Sequence, residues 1–295
     1  MRINCKTVSR AALVLFITAM GAADAAEKYP NKPGRLILPF GAGGSTDVIG
    51  RIFAQRFGEA WGQTVVVDNR PGAAGILGTE LAAKASTTLI SLYATMPNIL
   101  CVTPSLPAAN VGEFVKLAKG HPGKFKYASS GVGASPHLTM ELFKAAAGVD
   151  IVHVPYKVSS QGYTDTMSGL VQAFFFNLPG PLPHIKAGRL RALAVTSAKR
   201  AEQVPHIPTI MESGIPDFEV TVWQGYALPK GTPQRYAATI HAAMMKALES
   251  PELRQRFFTA GVSAAPVTPE AFRKFVEAET AKWKKAIDIS GAKVE

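Results

Sequence analysis

The stretch RLILPFGAGGSTDVIGRIFAQRFGEAW, residues 35–61, changes its period twice. The apolar run over 35–39 has the length of a buried strand. Four residues, Gly41, Ala42, Gly43 and Gly44, then break it, and Val48, Ile49, Ile52, Phe53, Phe57 and Trp61 recur at helical intervals, marking one buried face. Strand, glycine loop and amphipathic helix follow one another here, and the pattern repeats outward. Further short apolar runs at 64–67, 89–94, 125–129, 150–154 and 190–196 are separated by segments of helical spacing. That alternation predicts an α/β protein. Asn110 with Glu113 forms a capping box opening a helix that ends near Lys119 and Gly120. Residues 205–233 are rich in Pro and Gly and read as loops. After them comes a helical tail with Ile240, Met244, Leu248, Leu253, Phe257, Phe272 and Phe275 on its apolar face, which is expected to return and pack on an earlier lobe.

Ahead of this, Arg2, Lys6 and Arg10 lead into the apolar residues 11–20 and the small-residue run Ala23-Asp24-Ala25, the pattern of a secretory signal peptide over 1–25. The apolar run is shorter than the roughly 20 residues of a spanning helix. The mature product is therefore expected to be a soluble protein of the periplasm. Cys5 precedes the apolar run and has no lipobox around it, which leaves Cys101 without a disulfide partner, and 47% hydrophobic residues supply a core instead. The formal charge of +11 falls to about +9 without the first 25 residues, a balance that draws small anions. Nucleic acid is not an expected partner, because the Lys and Arg residues are scattered and no aromatic-interleaved basic block occurs.

Two loops carry the chemistry. The first, with Phe40, Gly43, Gly44, Ser45, Thr46 and Asp47, follows a strand and opens a helix; its glycines admit a ligand close to main-chain N–H groups, and Ser45, Thr46 or Asp47 can cap the helix. The free N–H groups of the first turn suit a carboxylate or phosphate. The second, with Ser129, Ser130, Gly131, Gly133 and Ser135, follows the strand at 125–128 and precedes another helix, with Ser135 as N-cap and Pro136 as its first residue. An ordinary strand-to-helix turn accounts for either loop alone. Two of one design, each at a strand's C-terminal end, predict paired anion sites facing across a cleft.

Neither loop is a phosphate-binding loop or a dinucleotide fingerprint, and six scattered histidines with one mature cysteine give no metal-ligand spacing, so no metal or other cofactor is expected. A serine hydrolase is the enzymatic alternative, with Ser130 or Ser135 as nucleophile and His137 or His153 as base. Gly-x-Ser-x-Gly is absent, and no acid is placed to orient either histidine. His137 is read instead as a helix residue facing its own cap, and His153 as a strand residue satisfied by a neighbour. Tyr156 and Asn177, each at a strand end, are candidates to present a polar group to the cleft, Asn177 the stronger of the two.

Beyond these features, Tyr29-Pro30 with Pro33, Pro39-Phe40 with Gly43 through Asp47, the run VVVDNRPG at 65–72, YASSG at 127–131, HVPYK at 153–157, LPHIKAG at 182–188 and LAVT at 193–196 together resemble the substrate-binding receptors of tripartite tricarboxylate transporters over nearly the whole mature chain. The resemblance implies a type II periplasmic binding protein fold: two α/β lobes joined by crossing strands, a ligand cleft between them, and C-terminal helices returning to the first lobe. It implies lobe 1 over 26–98 plus 222–295 and lobe 2 over 99–221. It further implies binding of a small organic acid at the two loops, with His137 joining them, no catalysis, and transient contact of a monomer with membrane transporter subunits. A ligand-sensing receptor for a membrane signalling kinase is the alternative.

The chain departs from the family pattern in three ways. After Ala85 the family continues through an Asp-Gly-Tyr-Thr strand with a further loop and helix, whereas here 86–88 lead directly into the later Ala-Thr-x-Pro-Asn pattern, so lobe 1 is expected to be shortened. Val158 stands where the family often has Gly, and Phe176 where an Asp commonly precedes the Asn. Both changes add apolar bulk, and they point to an aromatic or otherwise less polar acid.

Overall fold

The computed structural model describes residues 30–38, 40, 42, 44–69 and 87–291; the expected signal peptide, Gly43 and residues 70–86 lie outside the described residues. The opening unit forms as its periods require. Strand β1 (Gly34–Leu38) runs parallel to β2 (Val65–Asn69), and helix α1 (Ser45–Trp61) connects them. Leu36 and Leu38 turn inward against Ala54, Val65 and Val67. α1 ends at Gly62, whose φ of 63° is the left-handed conformation that glycine adopts without a steric penalty.

Strand β3 (Thr87–Val102) joins two sheets into one framework. Its first part, from Thr87 to Pro97, pairs antiparallel with β8 (Thr221–Pro229), and also with the short β9 (Ser263–Ala264). From Asn98 onward it lies between β6 (Ala173–Asn177) and β7 (Arg191–Val195). On the far side of β6 lie β4 (Lys126–Ser129) and then β5 (Val152–Pro155), both parallel to it in direction, giving the order β5-β4-β6-β3-β7. The sequence placed a short strand at 89–94, but the strand is far longer. Pro97 hid the continuation: having no N–H, proline argues against a strand interior, yet here it stands opposite Thr221, where the ladder exchanges β8 for β6.

The remaining helices are α2 (Val111–Gly120), α3 (Ser135–Ala147), α4 (Ser159–Met167), α5 (Leu182–Lys186), α6 (Gln234–Glu249), α7 (Pro251–Thr259) and α8 (Pro269–Ser290). The capping box holds with a shift. Asn110 Oδ1 accepts from the Glu113 N–H at 2.9 Å, while Glu113 reaches back to the N–H of Ala109 at 2.7 Å. The β6 run Phe174-Phe175-Phe176 feeds both faces of its sheet. Phe175 packs with Phe143 and Phe218, and Phe174 and Phe176 pack with Tyr163 on the other face.

In the other lobe, Ile49, Ile52, Phe53 and Phe57 of α1 pack against Tyr93 and Met96 of β3 and against Met244, Leu248, Leu253 and Phe257 of α6 and α7. The expected return of the tail to the first lobe therefore holds for α6 and α7 and for the start of α8, where Phe272 and Val276 pack on Leu92. The far half of α8 departs from it. Trp283 packs against the core of the second lobe, because a helix of 22 residues spans about 33 Å and reaches across. The passage at 205–233 is likewise not all loop: its segment TVWQGYALP is β8, with Pro and Gly confined to the flanks and to Gly225, which gives the Phe272 ring room. Among the described residues no helix is long and apolar enough to cross a membrane.

Candidate functional site

Both glycine loops end at helix N-termini, and neither terminus is capped by a side chain. α1 begins with Gly44 as N-cap in extended conformation, and α3 begins with Ala134 in the same role. The sequence pattern places the caps at Ser45, Thr46 or Asp47 and at Ser135. The structure moves each helix start one residue or more upstream, so these side chains lie inside the first turn and Pro136 follows Ser135 within it. Their hydroxyls are engaged elsewhere. Asn177 donates an amide N–H to Ser45 Oγ at 2.8 Å, Gln224 donates to Thr46 Oγ1 at 2.9 Å, and Asn98 donates to Ser135 Oγ at 3.0 Å and to Thr139 Oγ1 at 2.7 Å. No side chain therefore caps either terminus among the described residues, and a helix N-terminus of that kind favours an anion.

These contacts bring the two loops together through the framework strands. Asn98 and Asn177 are directly opposite each other in the β3–β6 ladder. Ser45, Asn177, Asn98 and Ser135 therefore form a polar line running from the N-terminus of α1 to that of α3. Asp47, buried in the first turn of α1, is held by Arg51 Nε at 3.0 Å, which offsets a negative charge where an anion would enter. Phe40 contributes its carbonyl, which accepts from Asn69 Nδ2 at 3.0 Å and ties the first loop to the end of β2.

The second loop is held open by its own side chains. Gly131 and Gly133 have φ of 117° and 78°, conformations that L side chains rarely adopt. Ser129 Oγ accepts the Gly131 N–H at 3.1 Å and lies 2.6 Å from His153 Nε2, and the Gly133 N–H donates to His137 Nδ1 at 3.1 Å. His137 thus faces its own cap and His153 is satisfied by a neighbour, as the sequence reading had it. The two imidazoles stack at 4.2 Å, with Tyr127 beyond His153. Burial holds His137 below the ordinary imidazole range against the pull of Glu141, and burial together with His137 brings His153 down to about 4. His137 is an acceptor toward this loop, and both rings are neutral near pH 7.

Ser130 is half-buried, and among the described residues neither it nor Ser135 is hydrogen-bonded to a histidine. The nucleophile–base pairs of the hydrolase alternative are therefore not assembled. Tyr156 does not offer a free hydroxyl to the cleft: it donates to Asp165 Oδ2 at 2.7 Å, and burial and that carboxylate push its pKa up to about 12. Phe176 does not line the cleft either. It alternates with Asn177 and is buried against Tyr163 and Phe174, so its bulk enters the core and gives no reason to expect a less polar ligand. Val158 is exposed and precedes α4. Among the described residues no cluster of His, Cys, Asp and Glu could hold a metal ion.

Sequence reasoning missed Asn98, Thr139 and Gln224. A lone Asn inside the apolar stretch 89–102 was the available signal, since a polar side chain buried in a strand needs partners.

The profile of the tripartite tricarboxylate transporter family receptor matches residues 81–291. A Pseudomonas sp. (strain P51) protein from the tcbD-tcbE intergenic region is 35% identical over 92% of this chain and 90% of its own length. Protein BugT of Bordetella pertussis is 31% identical over 97% of this chain and 98% of its own; that alignment runs over 319 positions, more than the 295 residues here, so BugT carries internal sequence without a counterpart in this chain. An R. palustris protein solved with adipate superposes with a TM-score of 0.85 at 32% identity, covering 90% of this chain and 99% of the other. The fold of two α/β lobes meeting on β3 superposes on that solved structure over nearly its full length, and the chain belongs to the tripartite tricarboxylate transporter receptor family.

Proposed function

We propose that this chain is a periplasmic receptor that captures a small organic acid between its lobes and hands it, without chemical change, to membrane transporter subunits. One observation carries the reading: two uncapped helix N-termini, at Gly44–Ser45 and Ala134–Ser135, are linked by the line Ser45, Asn177, Asn98, Ser135. Each terminus offers main-chain N–H groups and the positive end of a helix dipole, and a dicarboxylate can satisfy both at once. The adipate in the R. palustris relative is a ligand of that kind. Phe40, Gly44, Ser45, Thr46 and Asp47 form one wall of the proposed site. Gly131, Gly133, Ser135 and His137 form the other, with Asn177 between them and Ser129 setting the second loop.

The lobes divide in this reading at 98/99 and 221/222, supported by the exchange of β3 partners after Pro97 and by the start of β8 at Thr221. Residues 1–25 serve as the secretion signal, and the mature chain acts as a monomer with no nucleic-acid partner. Ligand contacts made by both lobes favour the closed form, and closure creates the surface the membrane subunits recognise. Calorimetric titration of the mature protein with dicarboxylates of four to six carbons tests the binding step. Saturable binding with no turnover of ester or amide analogues is expected; a cooperatively folded protein that binds none of them would overturn it.

A further inference from the structure

The polar line at the seam is incomplete. Asn98 Oδ1 and Asn177 Oδ1 are both buried, and neither has a hydrogen-bond partner. Asn98 is fully buried, and both N–H groups of its amide go to Ser135 and Thr139; one of those of Asn177 goes to Ser45. Residues directly opposite in an antiparallel ladder project to the same face about 5 Å apart. Two carboxamides therefore stand side by side between the helix N-termini, each anchored at one end and unsatisfied at the other. Buried polar groups without partners are rare and costly, so the fold has left this place for a group that arrives later.

The chemistry of that group is restricted. An ionised carboxylate only accepts, so it cannot satisfy a carbonyl oxygen, and a methylene can do nothing for either end of an amide. A hydroxyl donates to Oδ1 as the side chains stand, each held in that orientation by the bonds its amide nitrogen makes. We infer that Asn98 and Asn177 form a hydroxyl-reading element, so that the receptor prefers a hydroxylated dicarboxylate to the same acid without its hydroxyl. This deepens the proposed function and rests on it: the helix N-termini take the carboxylates, and the paired amides read the chain between them. The selectivity comes from exclusion as much as attraction, since one hydroxyl satisfies one of the two oxygens and a deoxy acid would satisfy neither.

The test compares matched pairs by calorimetry on the mature protein: malate against succinate, and 2-hydroxyadipate against adipate. In the pair whose length fits, the hydroxylated member is expected to bind at least about tenfold more tightly. Asn177→Ala should bring that ratio close to one. Equal affinities within both pairs would overturn the hydroxyl assignment while leaving the carboxylate receptor standing, because ordered water would then fill the amide positions. So would a ratio that survives Asn177→Ala. Absence of binding by all four acids would overturn both readings together. Should Asn177→Ala fail to melt cooperatively, the wild-type ratios alone decide.

Discussion

At the level of single residues, Gly131 and the two stacked histidines define what the second loop tolerates. With φ of 117°, Gly131 occupies a backbone region in which a β-branched side chain is strained by about 1–3 kcal/mol. Gly131→Val is therefore expected to shift the loop, losing at least about tenfold in dicarboxylate affinity while the two lobes still melt cooperatively; unchanged affinity would remove this loop from the site. The histidines predict a pH response. Both imidazoles have pKa values below the ordinary 6.5 in the folded protein, His153 at about 4, because burial disfavours the charged ring. Below pH 6.5 the unfolded chain takes up protons that the folded chain refuses. Stability is thus fully present above that pH and declines as pH falls toward 4. Melting curves between pH 7.5 and 4 should show the decline, and His153→Gln, which keeps a hydrogen-bonding side chain beside Ser129, should flatten it. A His153→Gln profile as steep as that of the wild type would place the effect elsewhere.

Among the elements, the strand β3 is the member on which everything else is hung, and Thr196 fixes where it crosses between lobes. Its hydroxyl donates to the Val220 carbonyl at 2.6 Å and accepts the Asn98 N–H at 2.9 Å, so it joins β3 to both ends of the 196–220 connection. Thr196→Val keeps the shape and deletes both bonds, leaving two buried backbone groups unpaired; a loss of about 2–4 kcal/mol in denaturant unfolding is expected. A second contact ties the last helix to the framework. A Cβ on Gly225 would sit 2.0 Å from the Phe272 ring, so Gly225→Val should displace the start of α8 and lower the melting temperature, which Phe272→Ala in the same chain should partly restore.

These elements also show what could be read in advance. β1, α1 and the helix at 111–120 were legible because one period runs through each and its ends carry glycine or a capping box. β8 and the second half of β3 were not, because Pro97 and Gly225 look like breakers until the partner strand and the Phe272 ring explain them. For the site, the two loops were visible as glycine and serine clusters. The side chains that join them, Asn98, Gln224 and Thr139, lie 37 or more residues from the groups they hold, and no local pattern brings them together.

For the whole molecule, the shortening expected of the first lobe predicts a physical signature. Leu36 and Leu38 of β1, with Val65 and Val67 of β2, face the α1 side, so the alternate residues Ile37 and Val66 share the opposite face, where they are 60% and 53% exposed. Parallel sheets are normally covered on both faces, and among the described residues this one has only two strands. The alignment with BugT requires internal sequence that this chain lacks, and the strand, loop and helix expected after Ala85 are the natural candidate for what would have widened the sheet and covered that face. The two faces should therefore respond differently to substitution. Changing Ile37 and Val66 together to Thr should alter unfolding free energy by less than about 1 kcal/mol and reduce light scattering on heating, because an exposed apolar patch is removed and no core is lost. Leu38→Ala, on the covered face against α1, should cost about 2–4 kcal/mol. If the double Thr variant proved as costly as Leu38→Ala, the outer face would be a true core, and the expected shortening of the first lobe would be overturned.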